Sequence, residues 1–347
     1  MNDPLRSPPS KPVARRPIAV TMGDPAGIGP EIVLKLLASR DDPGASVPAE
    51  GHPPGSGRRD FLVYGDPGVL SREARRYGLD LGQIEIRACS TLPQDLPLGR
   101  VDARAGDAAF KAVRQAALDA MAGRVRAVVT APLNKEAMNA AGFHYPGHTE
   151  ILAEVAGGVP VRMMLANHEL RTVLVTIHQP LRTAIDSLSR DLILETIRLT
   201  DRHLKRSGMA APRIAVAGLN PHAGEGGLMG REEIDIIAPA VEAARQDGID
   251  ADGPHPPDTI FMQARGFGRF DVVVAMYHDQ GLIPVKYLGL EEGVNITIGL
   301  PFVRTSPDHG TAFDIAGQGK ADTRSLAAAI RMADQMSRQH PRQDEAT

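Results

Sequence analysis

The sequence predicts an α/β protein built on a parallel or mixed sheet, and two stretches carry this prediction. Residues 272–276 (VVVAM) form an unbroken apolar run rich in valine, which is typical of a strand buried on both faces. Polar residues Tyr277 to Gln280 follow at the carboxyl end of that strand, where open α/β sheets bind ligands. Near the N-terminus, the strand pattern IAVTM (18–22) leads through a glycine-rich turn into the helical pattern IVLKLLA.

Composition limits the kind of protein this is. The 347 residues suffice for one large or two ordinary domains, and a net charge of -3 gives no reason to expect a nucleic-acid or membrane partner. The single cysteine, Cys89, excludes an internal disulfide and a cysteine-based zinc site. Residues 1–17 contain no apolar signal-peptide core, and no apolar run is long enough to span a bilayer, so a cytoplasmic location is predicted.

The first part of the chain has one motif of interest. The turn GDPAGIGPE (23–31) joins the first strand to a helix and presents backbone N–H groups that could bind an anion, although it is not a GxGxxG fingerprint. A tight turn without a ligand explains the same residues equally well. The other predictions here are a disordered tail at 1–16, a flexible insertion at 41–59, a strand at 61–64, and helices at 69–77 and 103–121.

The middle of the chain alternates strands and polar loops. A strand at 125–130 is followed by APLNKE and then by YPGHTE (145–150), in which His148 could serve function or Thr149 could cap a helix. His255 is assigned to a proline-rich turn. The remaining predictions are a hairpin with strands at 163–166 and 174–177, a helix at 192–207, a strand at 213–218, a helix starting near 231, a terminal helix at 325–335 and a frayed tail at 338–347.

Three histidines share one context. His178, His222 and His278 each come after an apolar strand and before a loop, and distant strand ends converge on one rim of an α/β sheet. Three imidazoles can hold a divalent ion and leave positions open for substrate. Alternatively, they are unrelated histidines satisfied by backbone groups. The polar residues further along the chain suggest a binding site for a small anion, and they are Lys286, Asn295 and Arg304.

Several motifs in fixed order together resemble the 4-hydroxythreonine-4-phosphate dehydrogenase family of vitamin B6 biosynthesis. The resemblance covers about residues 17–335 and rests on TMGDPAGIGPEI (21–32), VTAPLNKEAM (129–138), YPGHTE (145–150), GLNPHAGEGGLMGREE (218–233) and the stretch from AMYHDQGLIPVKY (275–287) to DHGTAFDIAGQGKAD (308–322). It implies an isocitrate/isopropylmalate dehydrogenase-like fold with a cleft between two domains, which we place at 17–135 plus 280–337 and at 136–279. The second domain would carry a homodimer interface.

The resemblance also implies roles for individual residues. His178, His222 and His278 would bind one divalent metal (zinc, magnesium or cobalt), with ligands drawn from both subunits. Substrate would contact His148, Thr149, Lys286, Asn295 and Arg304. The loop containing His309, Gly310, Thr311, Ala312 and Asp314 would lie against the adenosine part of NAD or NADP. We assign catalytic roles to His278, Asp279 and Lys286, with Asp279 expected to orient His278 and Lys286 able to act as base only if its pKa is depressed.

These roles predict a metal-dependent NAD(P) dehydrogenase. It would oxidise 4-(phosphooxy)-L-threonine to a β-keto acid, which decarboxylates to 3-amino-2-oxopropyl phosphate. One alternative keeps the chemistry and changes the substrate to 4-phospho-D-threonate or 4-phospho-D-erythronate, and the wording of TAPLNKEAM, YPGHTE and HGTAFDIA looks closer to that branch. A second alternative is an acyltransferase related to phosphotransacetylases, and a non-catalytic binding protein is the weakest.

Overall fold

A computed structural model describes residues 16–38, 60–82, 84–289 and 292–339. Residues 1–15, the whole of the predicted 41–59 insertion, and residues from 340 onward lie outside the described part of the chain. The last helix runs to Gln339, so the two residues before that boundary are helical where a frayed tail is predicted from 338. No helix in the described ranges is long and apolar enough to cross a membrane.

Strands and helices alternate through most of the chain. The strands are β1 (Ile18–Thr21), β2 (Phe61–Gly65), β3 (Glu85–Ala88), β4 (Ala127–Thr130), β5 (Arg162–Ala166), β6 (Arg171–Leu174), β7 (Ile214–Ala217), β8 (Ala251–His255), β9 (Val272–Ala275), β10 (Val294–Ile298) and β11 (Val303–Pro307). The helices are α1 (Gly29–Ala38), α2 (Pro67–Tyr77), α3 (Ala103–Met121), α4 (Lys135–Ala140), α5 (His148–Val155), α6 (Leu181–Ser187), α7 (Arg190–Arg206), α8 (Ala238–Gln246), α9 (Ile260–Ala264), α10 (His278–Leu288) and α11 (Arg324–Gln339).

The eleven strands form one mixed sheet in the order β3-β2-β1-β4-β11-β10-β5-β6-β9-β7-β8. Pairing is parallel except across β11-β10, β10-β5 and β5-β6, which are antiparallel. The predicted mixed α/β architecture is therefore confirmed. Strand β10 lies at the centre of the sheet, between the strands of the first part of the chain and those of the middle part, and it carries Asn295.

The sheet is covered on both faces. In β1, Ile18 and Val20 belong to one core cluster while Ala19, between them, belongs to a second. Successive side chains of a strand point to opposite faces, so the two clusters lie on opposite sides of the sheet. All residues of β9 are likewise buried. This double burial explains why the strands appear in the sequence as unbroken apolar runs, and it confirms the prediction for 272–276.

Five strands differ from the sequence-based expectation or were missed. His255 ends strand β8 rather than sitting in a turn, which corrects the prediction. A proline was compatible with a strand here because β8 is at the sheet edge, and its pairing with β7 is irregular between Ala215 and Ala217. Strand β6 begins at Arg171 and ends at Leu174, earlier than predicted, so His178 lies in the following loop. The strand patterns of β3, β10 and β11 were not recognised.

Candidate active site

A buried arginine forms the centre of the site. Arg304, on β11, is 3 % exposed and donates to the hydroxyl oxygens of Thr130 (2.7 Å) and Thr297 (3.0 Å), with Asn295 Oδ1 at 3.5 Å. Its Nε is buried without a partner. Burial lowers the pKa of Arg304 to about 9, which still leaves the guanidinium charged at neutral pH. A buried guanidinium with an unused donor is suited to binding an anion, because planar Arg can contact two oxygens at once.

His148 lies near Arg304 and is uncharged. Burial lowers its pKa well below the usual value, and the nearby charges of Arg304 and Lys135 act in the same direction. Its Nε2 is enclosed and has no hydrogen-bond partner. Helix α5 begins at His148 itself, after Gly147, and no side chain caps it. Thr149 therefore lies in the first helical turn and does not cap the helix, so the capping alternative considered for this segment is wrong.

Two further charged residues join this group, although neither had a predicted role. A Cβ placed on Gly147 would be 3.6 Å from Glu150 Oε2 and 3.9 Å from Lys135 Cε, so both side chains flank the start of α5. Burial lowers the pKa of both Arg304 and His178, and the charge of Glu150 opposes this effect at both residues, whereas the charge of Lys135 adds to it at His178. The signal for Lys135 was its place in APLNKE, the polar segment that directly follows β4.

Two of the three candidate metal ligands come together. The rings of His178 and His278 have centroids 5.5 Å apart, tilted by 44°. His178 adopts a left-handed φ of 38°, a conformation that non-glycine residues hold mainly at constrained or functional positions. A cleft of about 420 Å³ opens beside the pair, lined in part by Thr176, Leu181 and Tyr277.

His222 lies on a different loop. It begins a run of left-handed residues, 222–226, in which His222 has φ 52° and Nδ1 lies 3.0 Å from Glu225 Oε2. The buried carboxylate of Glu233 anchors this loop by accepting from the backbone N–H groups of Leu219 and Asn220. Within the described ranges of one protomer, no group of three or more His, Cys, Asp or Glu side chains is placed to hold a metal ion.

The donor set nevertheless fits a metal. A tetrahedral ion with metal–nitrogen bonds of about 2.1 Å would separate two imidazole centroids by roughly 5 Å, close to the observed spacing. Asp279 Oδ1 lies 2.7 Å from His278 Nδ1, which leaves Nε2 of that ring for an ion and matches the carboxylate–histidine pairs common around metals. Burial, followed by Lys135 and His278, lowers the pKa of His178, so its ring is neutral and able to bind a cation.

Lys286 occupies the opposite end of α10 from His278. The two positions are separated by a rise of about 12 Å along the helix axis. The Lys286 ammonium pairs instead with Asp308 Oδ2 at 2.9 Å, just beyond the end of β11. Within one protomer, therefore, the structure groups His148, Thr149, Asn295 and Arg304 on one side and His178 with His278 on another, while Lys286 and His222 lie apart from both groups.

The candidate nucleotide loop packs on the glycine-rich turn. Ile28 donates its backbone N–H to the carbonyl of Thr311 (3.0 Å), and a Cβ on Gly27 would come within 2.8 Å of that oxygen. Gly310 has open space where a Cβ would point, so a flat ligand could approach the backbone there. Ala312 takes a left-handed φ of 42°, and Asp314 and His309 are exposed. These features fit a bound nucleotide, and the close contact explains the glycine at position 27.

The fold and site together define an α/β protein with a buried arginine suited to anion binding and a pair of imidazoles that follow sheet strands. The family described as pyridoxal phosphate biosynthetic protein PdxA matches residues 58–333. This chain belongs to that family.

Individual relatives agree with the family match. A 4-hydroxythreonine-4-phosphate dehydrogenase of Beijerinckia indica is 54 % identical over 90 % of this chain and 93 % of its own. A D-threonate 4-phosphate dehydrogenase of Pectobacterium atrosepticum is 49 % identical over 92 % of this chain and 99 % of its own. The crystal structure of a 4-hydroxythreonine-4-phosphate dehydrogenase from Klebsiella pneumoniae has a TM-score of 0.82 at 46 % identity, covering 93 % of this chain and 99 % of that one. The predicted fold type, dehydrogenase class and family are confirmed.

Proposed function

We propose that this chain is a metal-dependent NAD(P) dehydrogenase that oxidises 4-(phosphooxy)-L-threonine in pyridoxal phosphate biosynthesis. The product would be a β-keto acid that loses CO2 to give 3-amino-2-oxopropyl phosphate. The observation that carries the proposal is the buried Arg304, with an unused Nε donor and His148 close by, in the same site as the paired rings of His178 and His278. This arrangement suits a small substrate with an anionic end and a hydroxyl to be oxidised.

The residues of the chain bind and orient the substrate. Arg304 and Asn295 contact its anionic group, and neutral His148 presents Nε2 as a hydrogen-bonding group toward the same pocket. Thr149, in the first turn of α5, adds a hydroxyl. Asp279 holds the ring of His278 through Nδ1. A bound nicotinamide would supply the hydride acceptor, and a bound divalent ion would lower the pKa of the reacting hydroxyl. His178, His222 and His278 would hold that ion, and the 309–314 loop would hold the adenosine.

The positions of His222 and Lys286, which lie apart from the other site residues within one protomer, support a proposal of a homodimer with shared sites. Each protomer brings two of the three imidazoles together, and a second subunit could supply the missing group. Large apolar side chains are exposed on the segments next to these residues: Leu228 (80 %) and Ile234 (43 %) follow His222, and Ile283 (63 %) and Tyr287 (91 %) lie on α10. Such clustered exposure is typical of a surface that another chain covers.

The division into domains 17–135 plus 280–337 and 136–279 is part of the same proposal. The sheet passes from one to the other at β10, next to the Arg304 pocket. A cleft at that junction would place the anion pocket and the histidine pair on facing walls. The proposed metal is zinc, magnesium or cobalt, and the proposed cofactor is NAD or NADP.

A second candidate is 4-phospho-D-threonate or 4-phospho-D-erythronate oxidation. The relative from Pectobacterium atrosepticum, 49 % identical, has a D-threonate 4-phosphate activity in its name and favours this candidate. The phosphotransacetylase-like alternative gains no support, because the three relatives described above are dehydrogenases.

Steady-state NADH or NADPH formation with the three phosphorylated acids tests the proposal. We expect turnover of at least one, with 4-(phosphooxy)-L-threonine preferred. EDTA should abolish the activity, and Zn²⁺, Mg²⁺ or Co²⁺ should restore it. Full activity after complete metal removal would overturn the metal role, and absence of both turnover and NAD(P) binding by calorimetry would favour an acyltransferase.

A further inference from the structure

Counted over one protomer, without the proposed metal or a second subunit, the charges near Arg304 do not neutralise a phosphate monoester. A phosphate monoester carries a charge of roughly -1.5 to -2 at pH 7. In one protomer Arg304 contributes one positive charge and His148 none, while Glu150 adds a negative charge nearby. Lys286 is paired with Asp308. The side chains near Arg304 in one protomer, Lys135 aside, therefore carry a net charge close to zero, which is a poor match for a dianion.

Lys135 is the remaining cation at this position. Its Cε lies beside Gly147, directly before His148, and the residue is exposed rather than buried in the fold. In the described part of the chain its ammonium makes no hydrogen bond or ion pair. The contact with Gly147 brings this ammonium close to the start of α5, where His148 lies, and its charge accordingly acts to lower the pKa of His148 after the larger effect of burial.

The backbone around Lys135 is fixed, so this position is set by the fold. The side chain of Asn134 caps α4 by accepting from Ala137 N–H at 2.8 Å. The segment just before it is tied to the glycine-rich turn, since Asp24 donates its backbone N–H to the carbonyl of Pro132 at 2.8 Å. Lys135 thus extends from a well-anchored loop, and only its flexible side chain needs to move to meet a ligand.

We propose that Lys135 is a substrate-binding residue that supplies the second positive charge for the phosphate group, opposite Arg304. Together with Arg304 it makes the pocket net positive despite Glu150. This inference rests on the proposed function for the identity of the substrate, but binding of inorganic phosphate can be measured without turnover. A lysine suits this role because its ammonium acts as a mobile point charge, while Arg304 provides the fixed, planar contact.

The test compares Lys135→Gln and Lys135→Arg with wild type and with Lys111→Gln. Lys111 is an exposed lysine on α3 that pairs with Asp107, so it serves as the matched control. For the metal-loaded enzyme, we expect Lys135→Gln to weaken inorganic phosphate binding by about 10- to 100-fold, the range for a charge-assisted hydrogen bond. Lys135→Arg should restore most of the affinity, and Lys111→Gln should match wild type.

Kinetics provide the second measurement. Lys135→Gln should raise KM for the phosphorylated acid much more than it lowers kcat, and KM for unphosphorylated 4-hydroxy-L-threonine should stay unchanged where that compound is turned over. Unchanged phosphate affinity in Lys135→Gln would overturn the inference even in an active dehydrogenase, as would a loss of metal affinity alone. Wild-type enzyme that binds phosphate through Lys135 but oxidises none of the three acids would instead overturn the proposed function.

Discussion

The side-chain amide of Gln280 donates to the backbone carbonyl of Gly218 over 2.7 Å. The same side chain accepts from the backbone N–H of Met276 at 2.6 Å, and the residue is buried. Gly218 ends the strand segment that leads to His222, and Met276 ends the one that leads to His278. One buried amide therefore sets the relative position of the loops that carry two candidate metal ligands.

We expect Gln280→Met to lower metal affinity by about 10-fold or more, the usual effect of removing a hydrogen bond that orients metal ligands. The substitution keeps the side-chain volume but removes both hydrogen bonds. Competition with a chelator of known affinity measures the change. Gln246→Met is the control, because Gln246 is an exposed residue on α8. Equal affinities in both variants would show that Gln280 has no influence on the metal.

Arg304→Lys should lower kcat/KM for the phosphorylated acid by about 10- to 100-fold, the loss expected for a charged hydrogen bond. Lysine keeps the charge but cannot reproduce the paired contacts with Thr130 and Thr297. Steady-state kinetics give the value. Arg198→Lys, an exposed residue that pairs with Asp247, should leave kcat/KM unchanged. A variant at position 304 with wild-type kinetics would remove this residue from the site.

Asp24 should make stability depend on pH. Burial raises the pKa of this fully buried carboxyl to about 6, and its Oδ2 has no partner. Because the folded-state pKa exceeds the unfolded value of 3.8, the stabilising contribution is complete below about pH 4 and is lost as the pH rises through 6. A tenfold difference in proton affinity between the folded and unfolded states is worth about 1.4 kcal/mol, so up to about 3 kcal/mol is involved.

Urea denaturation between pH 4 and 8 measures this effect. The free energy of unfolding of wild type should fall relative to that of Asp24→Asn as the pH rises, since the amide does not ionise. Asp107→Asn, an exposed residue of α3, should follow wild type at every pH. Parallel curves for wild type and Asp24→Asn would mean that the carboxyl titrates at its ordinary value in the folded state.

Ile283→Glu should weaken the proposed dimer and, with it, metal binding. The side chain is 63 % exposed on α10, the helix that begins at His278. A buried carboxylate in an apolar interface is unfavourable, so sedimentation should shift toward a monomer. Met121→Glu, an exposed substitution at the end of α3, is the comparison. Dimers in both variants with equal metal affinity would place the shared interface on another surface.

Sequence patterns predicted the parts of the fold in which local signals agree with tertiary structure. The apolar run of β9 and the helix at 103–121 were identified because their burial and periodicity are visible in adjacent residues. Strand β3 was missed since it lies at the sheet edge, with three of its four residues exposed, and shows no buried alternation. His255 was assigned to a turn because prolines lie on both sides of it in the sequence. Prolines usually indicate a turn, but they can occur in an edge strand.

The site was predicted unevenly for a related reason. Arg304, Asn295 and the histidines came from motifs in the sequence. That Lys135 approaches His148, or that Lys286 pairs with Asp308, depends on side-chain directions across separate elements. The sequence around each residue does not indicate the direction in which its side chain points. The hydroxyl partners of Arg304 were unpredictable for the same reason, since Thr130 is distant in sequence and reaches the guanidinium only through the pairing of β4 with β11.

The burial of Arg304 among threonine hydroxyls has a consequence for the abundance of the protein in a cell. The hydrogen-bond partners of this buried guanidinium are uncharged and Glu150 is the nearby negative charge, so its burial costs folding free energy until an anion binds. Substrate supply thus sets the fraction of chains that open transiently, and proteolysis follows that fraction. The abundance of the protein should accordingly rise with the level of the metabolite it consumes, without any change in transcription.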